Sequence, residues 1–252
     1  MLLQASRCSL LRCIAAGVLG CFAGVAGAQT PAAAPPAGPD AARQGAPALI
    51  AYADSFISVH GSDTGWICDR FTPTAAGYQF TESFYYTPQQ LRTTVVSLSP
   101  AMVVDSVRAR GKSRGLVLDL DVVYTGRHAV GYYYRTDPDS LVKVPFETDM
   151  PDSAFDAAGQ MALIPAFDWH VGMTRHLLEF EPVHARTSSS ILTVVAEEDI
   201  TVPAGTFATY RAELSLPRTT VYLWFTRAAP HRPVKVGDPA NQWATVLVKL
   251  IE

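Results

Sequence analysis

The sequence predicts a mainly β fold: a single antiparallel, curved, multi-stranded sheet, or an open barrel or sandwich, with one or two short helices. Three observations predict it. Apolar side chains recur with a period of two, as in residues 115–126 (GLVLDLDVVYTG). Segments rich in aromatic and β-branched residues are bounded by turn residues, and stretches with helical periodicity are few. Short strands with short connections indicate an antiparallel meander.

Residues 1–28 have the organisation of a secretory signal peptide. Two arginines precede an apolar run over 13–25, and small residues up to Ala28 suit cleavage there. The run of about 13 residues is shorter than the roughly 20 that cross a bilayer. We therefore predict a periplasmic or secreted protein with no transmembrane span. A second interpretation stays open, because residues 18–21 (VLGC) resemble a lipobox, in which Cys21 would be acylated and anchor a lipoprotein.

The charge and cysteine content exclude several partner classes. Without the leader's Arg7 and Arg12, 18 of the 20 basic side chains remain against 23 acidic ones, and the basic ones are scattered. No basic stripe can neutralise phosphates, so we expect no nucleic-acid partner. The leader also contains three of the four cysteines. Cys68 alone can form neither an internal disulfide nor a thiolate metal cluster, and we expect it to be a small buried side chain.

Beyond the leader, residues 29–47 form a Pro- and Ala-rich linker that we expect to be disordered. Residues 48–252 are then one β-rich domain. The best helix candidate runs from Ser153, as N-cap, to Leu163, with Pro165 closing it. Residues 47–58 form a weaker helix candidate that could equally be an edge strand.

The segment Thr201–Leu214 (TVPAGTFATYRAEL) raises the question of whether its Gly belongs to a site or a bend. Pro and Gly at these positions fit a three-residue hairpin loop, Pro203 to Gly205, with a positive φ at the Gly. That loop places Val202 opposite Thr206. A strand rather than a helix follows the Gly, so no helix N-terminus is available to bind phosphate. The bend is the favoured interpretation, and Pro203 and Gly205 are structural.

The same register gives Glu198 a specific place. It pairs Glu197 with Arg211 and Glu198 with Tyr210, and it turns Glu198 toward the core. A buried carboxylate needs hydrogen bonds, which Tyr210 could supply, so both residues are expected to be structural. The alternative hypothesis is an uncharacterised hydrolase in which Glu198 is an acid/base with a raised pKa.

These residues also carry a family resemblance. Segments 197–214, 221–236 and 244–252 resemble the C-terminal half of the bacterial periplasmic proteins grouped as domain of unknown function family 3108, and 162–173 (ALIPAFDWHVGM) is similar to that family's short helix and strand entry. The likeness covers residues 162–252. It implies an exported, mostly antiparallel, curved sheet and no particular reaction. The matching positions are Glu198, Val202, Pro203, Ala204, Gly205, Thr206, Phe207, Tyr210, Trp224, Pro233, Val234 and Lys235.

Other motifs are weaker. Residues 63–65 (DTG) copy the core of aspartic proteases, but the residues around them favour a turn before a strand. His170 and His176 have no spacing that places both on one metal ion. Asp119 and Asp121 share a strand face that we expect to be solvated. We predict no metal, no cofactor and no catalytic residue.

An excess of aromatic residues supports the functional hypotheses. Tyr132 and Tyr134, and Tyr222 and Trp224, lie in strands that carry large side chains on both faces. Either both faces are covered by an ordinary core, or one face lines a groove for an apolar or cell-envelope ligand. These four residues are the candidate ligand-binding set. The favoured function is a non-catalytic exported protein that binds such a ligand. The alternatives are the Glu198 hydrolase and a structural envelope protein with no ligand.

Overall fold

The computed structural model describes residues 52–61, 63–87, 90–113, 115–137, 140–238 and 242–251. The predicted signal peptide, the predicted linker and Cys21 lie outside these residues. The fifteen strands are β1 (Tyr52–His60), β2 (Asp63–Thr74), β3 (Gly77–Thr87), β4 (Gln90–Leu98), β5 (Val104–Ser113), β6 (Leu116–Thr125), β7 (His128–Asp137), β8 (Ser140–Asp149), β9 (Ala154–Asp156), β10 (Thr174–Glu181), β11 (Arg186–Val202), β12 (Gly205–Leu216), β13 (Thr219–Thr226), β14 (Pro233–Asp238) and β15 (Trp243–Ile251).

All fifteen strands belong to one sheet, in the order β8-β7-β6-β5-β4-β3-β2-β1-β15-β14-β13-β12-β11-β10-β9. Consecutive strands from β1 to β8 and from β10 to β15 pair in antiparallel fashion, and β1 pairs with both β2 and β15, which joins the two meanders. Only the short β9 pairs in parallel, with β10. The two ends of the order are not paired with each other, so the sheet is curved and unclosed. The predicted fold class is confirmed.

Strand β6 shows why the alternating sequence forms a sheet. Leu118, Leu120 and Val122 are buried, whereas Asp119 and Asp121 lie on the other face. That face carries ion pairs rather than free carboxylates: Arg110 lies 2.9 Å from Asp119 and 3.3 Å from Asp121. Apolar and charged residues therefore separate across the strand as the period of two predicts.

The predicted helix begins later than expected. A 3-10 turn (Ala157–Gly159), the helix α1 (Gln160–Leu163) and a second 3-10 turn (Ile164–Ala166) form one helical segment, 157–166. The expected N-cap was wrong: Ser153 has a φ of +64° outside the helix, and Ala154 to Asp156 are a strand. Asp156 caps instead, because its side chain accepts a hydrogen bond from the Ala158 N–H at 2.8 Å. Pro165 lies inside the segment rather than after it.

In the weaker helix candidate, 47–58, the described residues 52–58 form neither a helix nor an edge strand. Its described part belongs to β1, which is paired on both sides. Tyr52, Asp54, Phe56 and Ser58 are all buried on one face. Because two of these four buried residues are polar, the apolar residues alone do not show the alternation of buried and exposed positions along β1.

The interior is filled by side chains. One buried cluster includes Phe71, Val96 and Val122, and a second includes Leu192, Leu214 and Phe225. Met161, from the helical segment, packs against both clusters. Two small pockets beside these clusters have volumes of about 30 and 20 Å³, which is room for a water molecule rather than a lipid. The described side chains around these two pockets form a packed core.

The Thr201–Leu214 register differs from the expected one. Val202 pairs with Gly205, so the loop contains two residues, Pro203 and Ala204, and not three. Glu197 pairs with Tyr210 and Glu198 with Thr209, which corrects the predicted partners Arg211 and Tyr210. A bulge between Val194 and Ala196 then shifts the pairing again. Counting residues cannot detect a bulge, because it depends on how the two strands bend together.

The turn of this hairpin packs against a distant part of the sheet. The Ala204 N–H donates a hydrogen bond to the Leu247 carbonyl at 3.3 Å. Val202 and Phe207 belong to a small cluster with Val234 and Leu247. Gly205 has a φ of +134°, a conformation that a side chain disfavours. The corner therefore holds the hairpin end against β14 and β15.

Cys68 also differs from expectation. It lies on β2 with its side chain exposed rather than buried, 3.6 Å from the Ser55 hydroxyl. The interior positions of β2 are taken by Ile67, Asp69 and Phe71. Cys68 falls between them in the alternation and faces outward.

Candidate functional site

The structure does not bring the four candidate aromatic residues together. Tyr132 and Tyr134 lie on β7, and Tyr222 and Trp224 lie on β13. Eight strands separate β7 from β13 in the sheet order. The two pairs therefore belong to different regions of the sheet, and each is described separately.

The β7 pair is already engaged with neighbouring side chains. The rings of Tyr132 and Tyr134 meet edge to face at 5.9 Å. Lys143 places its ammonium 3.7 Å from the Tyr132 ring centre, and Arg110 donates to the Tyr132 hydroxyl at 3.3 Å. Because a cation covers the Tyr132 ring, that face is not available to a ligand without displacing Lys143.

The β13 pair lines a broad surface groove. The groove has a volume of about 650 Å³, within the usual range of about 300–1,000 Å³ for ligand sites. We call it the aromatic groove. It is lined by Arg211, Arg218, Thr219, Thr220, Tyr222, Trp224 and Asp238.

Strand alternation explains why two aromatic rings face outward here. Val221, Leu223 and Phe225 fill the core side of β13, so Tyr222 and Trp224 point to the opposite face. Their ring centres are 6.2 Å apart, with an angle of 35° between the planes. The two rings form adjacent, half-buried surfaces in the groove.

Trp224 is held in place by polar neighbours. Its Nε1–H donates to Glu198 Oε1 at 2.6 Å. Lys235 lies over its ring, 4.7 Å from the centre. Glu198 Oε1 is also 3.8 Å from Arg211 Nε. These contacts restrict the ring orientation before any ligand is present.

The charges around the groove balance. Arg211, Arg218 and Lys235 are matched by Glu198, Asp238 and Glu213, which pairs directly with Tyr222. Asp238 is buried and accepts a hydrogen bond from Thr219 at 2.7 Å. The lining itself has two arginines and one buried aspartate, and the neighbouring Lys235, Glu198 and Glu213 bring the local charges to balance.

The prediction that Glu198 faces the core is wrong. Its side chain is 39% exposed and lies on the outer face with Trp224 and Arg211. Tyr210, its expected partner, points to the core, where its ring lies 6.2 Å from Trp169. Because the turn has two residues rather than three, the pairing of β11 with β12 shifts by one residue. Near the turn, each β11 side chain therefore lies, relative to β12, on the face of the sheet opposite to the one expected from the sequence. The burial that motivated the acid/base hypothesis is therefore absent.

The remaining motifs form no second site. Residues 63–65 are the first residues of β2, which corrects the expected turn before a strand, and the Tyr86 ring packs closely on Gly65. Among the described residues, no three His, Cys, Asp or Glu side chains cluster in a way that could hold a metal ion. No helix in the described part of the chain is long and apolar enough to cross a bilayer.

The sequence pattern does not single out the polar residues of the groove. Arg218 and Asp238 come from a turn and a strand end, and nothing in the local sequence distinguishes them. The register expected from the sequence pairs Arg211 with Glu197, whereas in the structure Arg211 pairs directly with Trp224 on β13. The β12–β13 register is the signal that would have found it, because that register fixes which polar residues border the aromatic pair.

Comparison with known proteins identifies the family. A family model described as "Protein of unknown function (DUF3108)" matches residues 72–239. The chain belongs to this family. The match confirms the resemblance and extends it well upstream of residue 162. No curated protein sequence matches the chain.

Solved structures are similar to this chain at low sequence identity. A β-barrel-like DUF1849 protein from Brucella abortus has a TM-score of 0.50 at 10% identity, covering 81% of this chain and 97% of its own. A provisionally assigned lipoprotein from Parabacteroides distasonis has a TM-score of 0.31 at 12% identity, with coverages of 81% and 97%. A provisionally assigned exported protein with a YmcC-like fold from Bacteroides fragilis has a TM-score of 0.30 at 12% identity, with coverages of 80% and 95%. The first of these supports the β-barrel-like architecture.

Proposed function

We propose that this protein is an exported, non-catalytic binding protein that holds a carbohydrate of the cell envelope in the aromatic groove. The observation that carries the proposal is the outward pair of rings, Tyr222 and Trp224, in a groove that also offers side chains of both charges. The family itself implies no reaction. Export is supported by the signal-peptide organisation of residues 1–28.

The groove chemistry favours sugars over other envelope components. A sugar ring presents apolar C–H faces and hydroxyl groups that both donate and accept hydrogen bonds. Aromatic rings provide an apolar surface on which the C–H faces of a sugar can pack. Arginine can only donate and carboxylates accept, so Arg211 and Arg218, together with the partly exposed Glu198 carboxylate beside Trp224, match the hydroxyl groups.

Two alternatives fit less well. A lipid would need a large apolar cavity, and the two pockets beside the described core clusters, with volumes of about 30 and 20 Å³, are too small for one. A polyanion would need an excess of basic side chains, and around the groove Glu198, Glu213 and Asp238 balance the three cations. A neutral or zwitterionic glycan requires neither a large apolar cavity nor an excess of basic side chains.

Titration of the purified protein with soluble neutral oligosaccharides and peptidoglycan fragments tests the proposal. We expect at least one of them to bind, with a change in tryptophan fluorescence, and Trp224→Ala to weaken that binding at least tenfold. The matched control is Trp66→Ala, which removes a 50% exposed tryptophan on β2 and should leave affinity unchanged. No binding across the panel, or equal loss in both variants, would contradict the proposal.

A further inference from the structure

A row of acidic side chains crosses the interior face of the sheet. Asp54 on β1 pairs with Asp69 on β2, and Asp69 pairs with Glu82 on β3. All three residues are buried; Asp69 is 5% exposed. Direct cross-strand neighbours share a face and lie close together, so three carboxylates occupy adjacent interior positions.

Two arginines compensate two of the three carboxylates. Arg232 donates to Asp54, with Nε 3.0 Å from Oδ2. Arg92 donates to Glu82 Oε1 at 2.5 Å. Asp69 stands between these pairs, and its buried Oδ1 has no hydrogen-bond partner among the described residues.

The unpartnered oxygen belongs to a small pocket. The pocket has a volume of about 30 Å³ and is lined by Asp69, Glu82 and Thr245 together with apolar side chains, including those of Met161 and Trp243. Thr245 donates its hydroxyl hydrogen to Ser58 at 3.0 Å, so its oxygen keeps acceptor capacity. The polar lining is therefore made of oxygen acceptors.

An ionised carboxylate without compensation is costly in such a place. Burial, together with the charges of Glu82 and Asp54, raises the pKa of Asp69 well above its ordinary value, and Arg92 opposes the rise only partly. Either a proton or a cation must therefore accompany Asp69. Oxygen ligands suit hard cations, and a divalent ion such as Ca²⁺ takes six to eight of them, more than this pocket supplies.

We propose that the pocket beside Asp69 and Glu82 binds a single small monovalent cation, with Thr245 as an additional oxygen ligand. The cation supplies the positive charge that Arg92 and Arg232 leave missing from the row. It links β2 and β3 to β15, because Asp69, Glu82 and Thr245 lie on those three strands. This site is independent of the aromatic groove.

Thermal unfolding above neutral pH in chloride salts of equal ionic strength tests the site. We expect the melting temperature to be about 2–4 °C higher in sodium, potassium or ammonium chloride than in choline chloride, whose cation is too large for the pocket. Asp69→Asn should abolish the difference. Asp119→Asn, on the outer face of β6, should keep it. Equal melting temperatures in all salts, or a difference that persists in Asp69→Asn, would overturn the proposal in favour of a proton alone.

A crystallographic measurement keeps the proposal testable if Asp69→Asn does not fold. Crystals of the unmodified protein soaked in rubidium or thallium salts should show an anomalous peak about 3 Å from Asp69 Oδ1. Absence of a peak at full soaking concentration overturns the site.

Discussion

Two arginine–glutamate pairs lie on opposite faces of this sheet. Arg92 and Glu82 are 2.5 Å apart on the inner face, with side chains 7% and 11% exposed. Arg211 and Glu198 are 3.8 Å apart on the outer face, with side chains 37% and 39% exposed. The inner pair is part of a row buried away from bulk solvent, whereas the outer pair borders a groove open to solvent. Burial thus makes one pair a structural necessity and leaves the other free to contact a ligand.

The largest effect is expected at the inner pair. Arg92→Met leaves Glu82 buried and uncompensated beside Asp69, so the free energy of unfolding should fall by about 3–5 kcal/mol. Urea denaturation measures it. The double variant Arg92→Met/Glu82→Gln removes both charges and should recover much of the loss. A single-variant loss below about 1 kcal/mol would mean that the inner face is more hydrated than its burial indicates.

A half-buried carboxylate with neutral hydrogen-bond partners extends the comparison to pH. Glu179 accepts from Gln160 at 2.8 Å and from Ser190 at 3.4 Å, and burial raises its pKa to about 7 from an ordinary value of 4.5. The folded state therefore binds more protons than the unfolded state between these values. Its stabilising contribution is complete below about pH 4.5 and is lost as the pH rises to about 7.

Glu179→Gln should remove this pH dependence. Near pH 8 the variant should exceed the parent in free energy of unfolding by about 3 kcal/mol, and near pH 4 the two should agree. Denaturation curves at both pH values measure the difference. Glu197→Gln, at a 45% exposed carboxylate, is the control and should follow the parent. Parallel profiles for parent and Glu179→Gln would show that Glu179 is solvated.

The smallest effect on stability is expected at the outer pair. Arg211→Met should lower the free energy of unfolding by less than about 1 kcal/mol, because solvent replaces an exposed ion pair. Under the proposed function, the same variant should weaken oligosaccharide binding, since Arg211 lines the groove. A loss of stability as large as that of Arg92→Met would remove the distinction between the two faces.

Strand content and strand type could be predicted because they depend on local alternation. The β6 pattern placed Leu118 and Asp119 on the correct faces. The candidate rings Tyr222 and Trp224 could be singled out for the same reason, since large side chains on both sides of one strand are visible in the sequence. The groove around them could not, because its polar lining comes from β12, β13 and β14 together.

The sequence by itself determined that this is a mainly antiparallel β protein with a short helix and a hairpin corner at Pro203. These features arise from alternation, turn residues and backbone preferences that act over a few neighbouring positions. Only the tertiary structure decided that Glu198 faces outward, that β1 is central and that Asp69 is the uncompensated member of a buried row. Turn length, bulges and the pairing of β1 with β15 set those outcomes, because each depends on strands far apart in the chain.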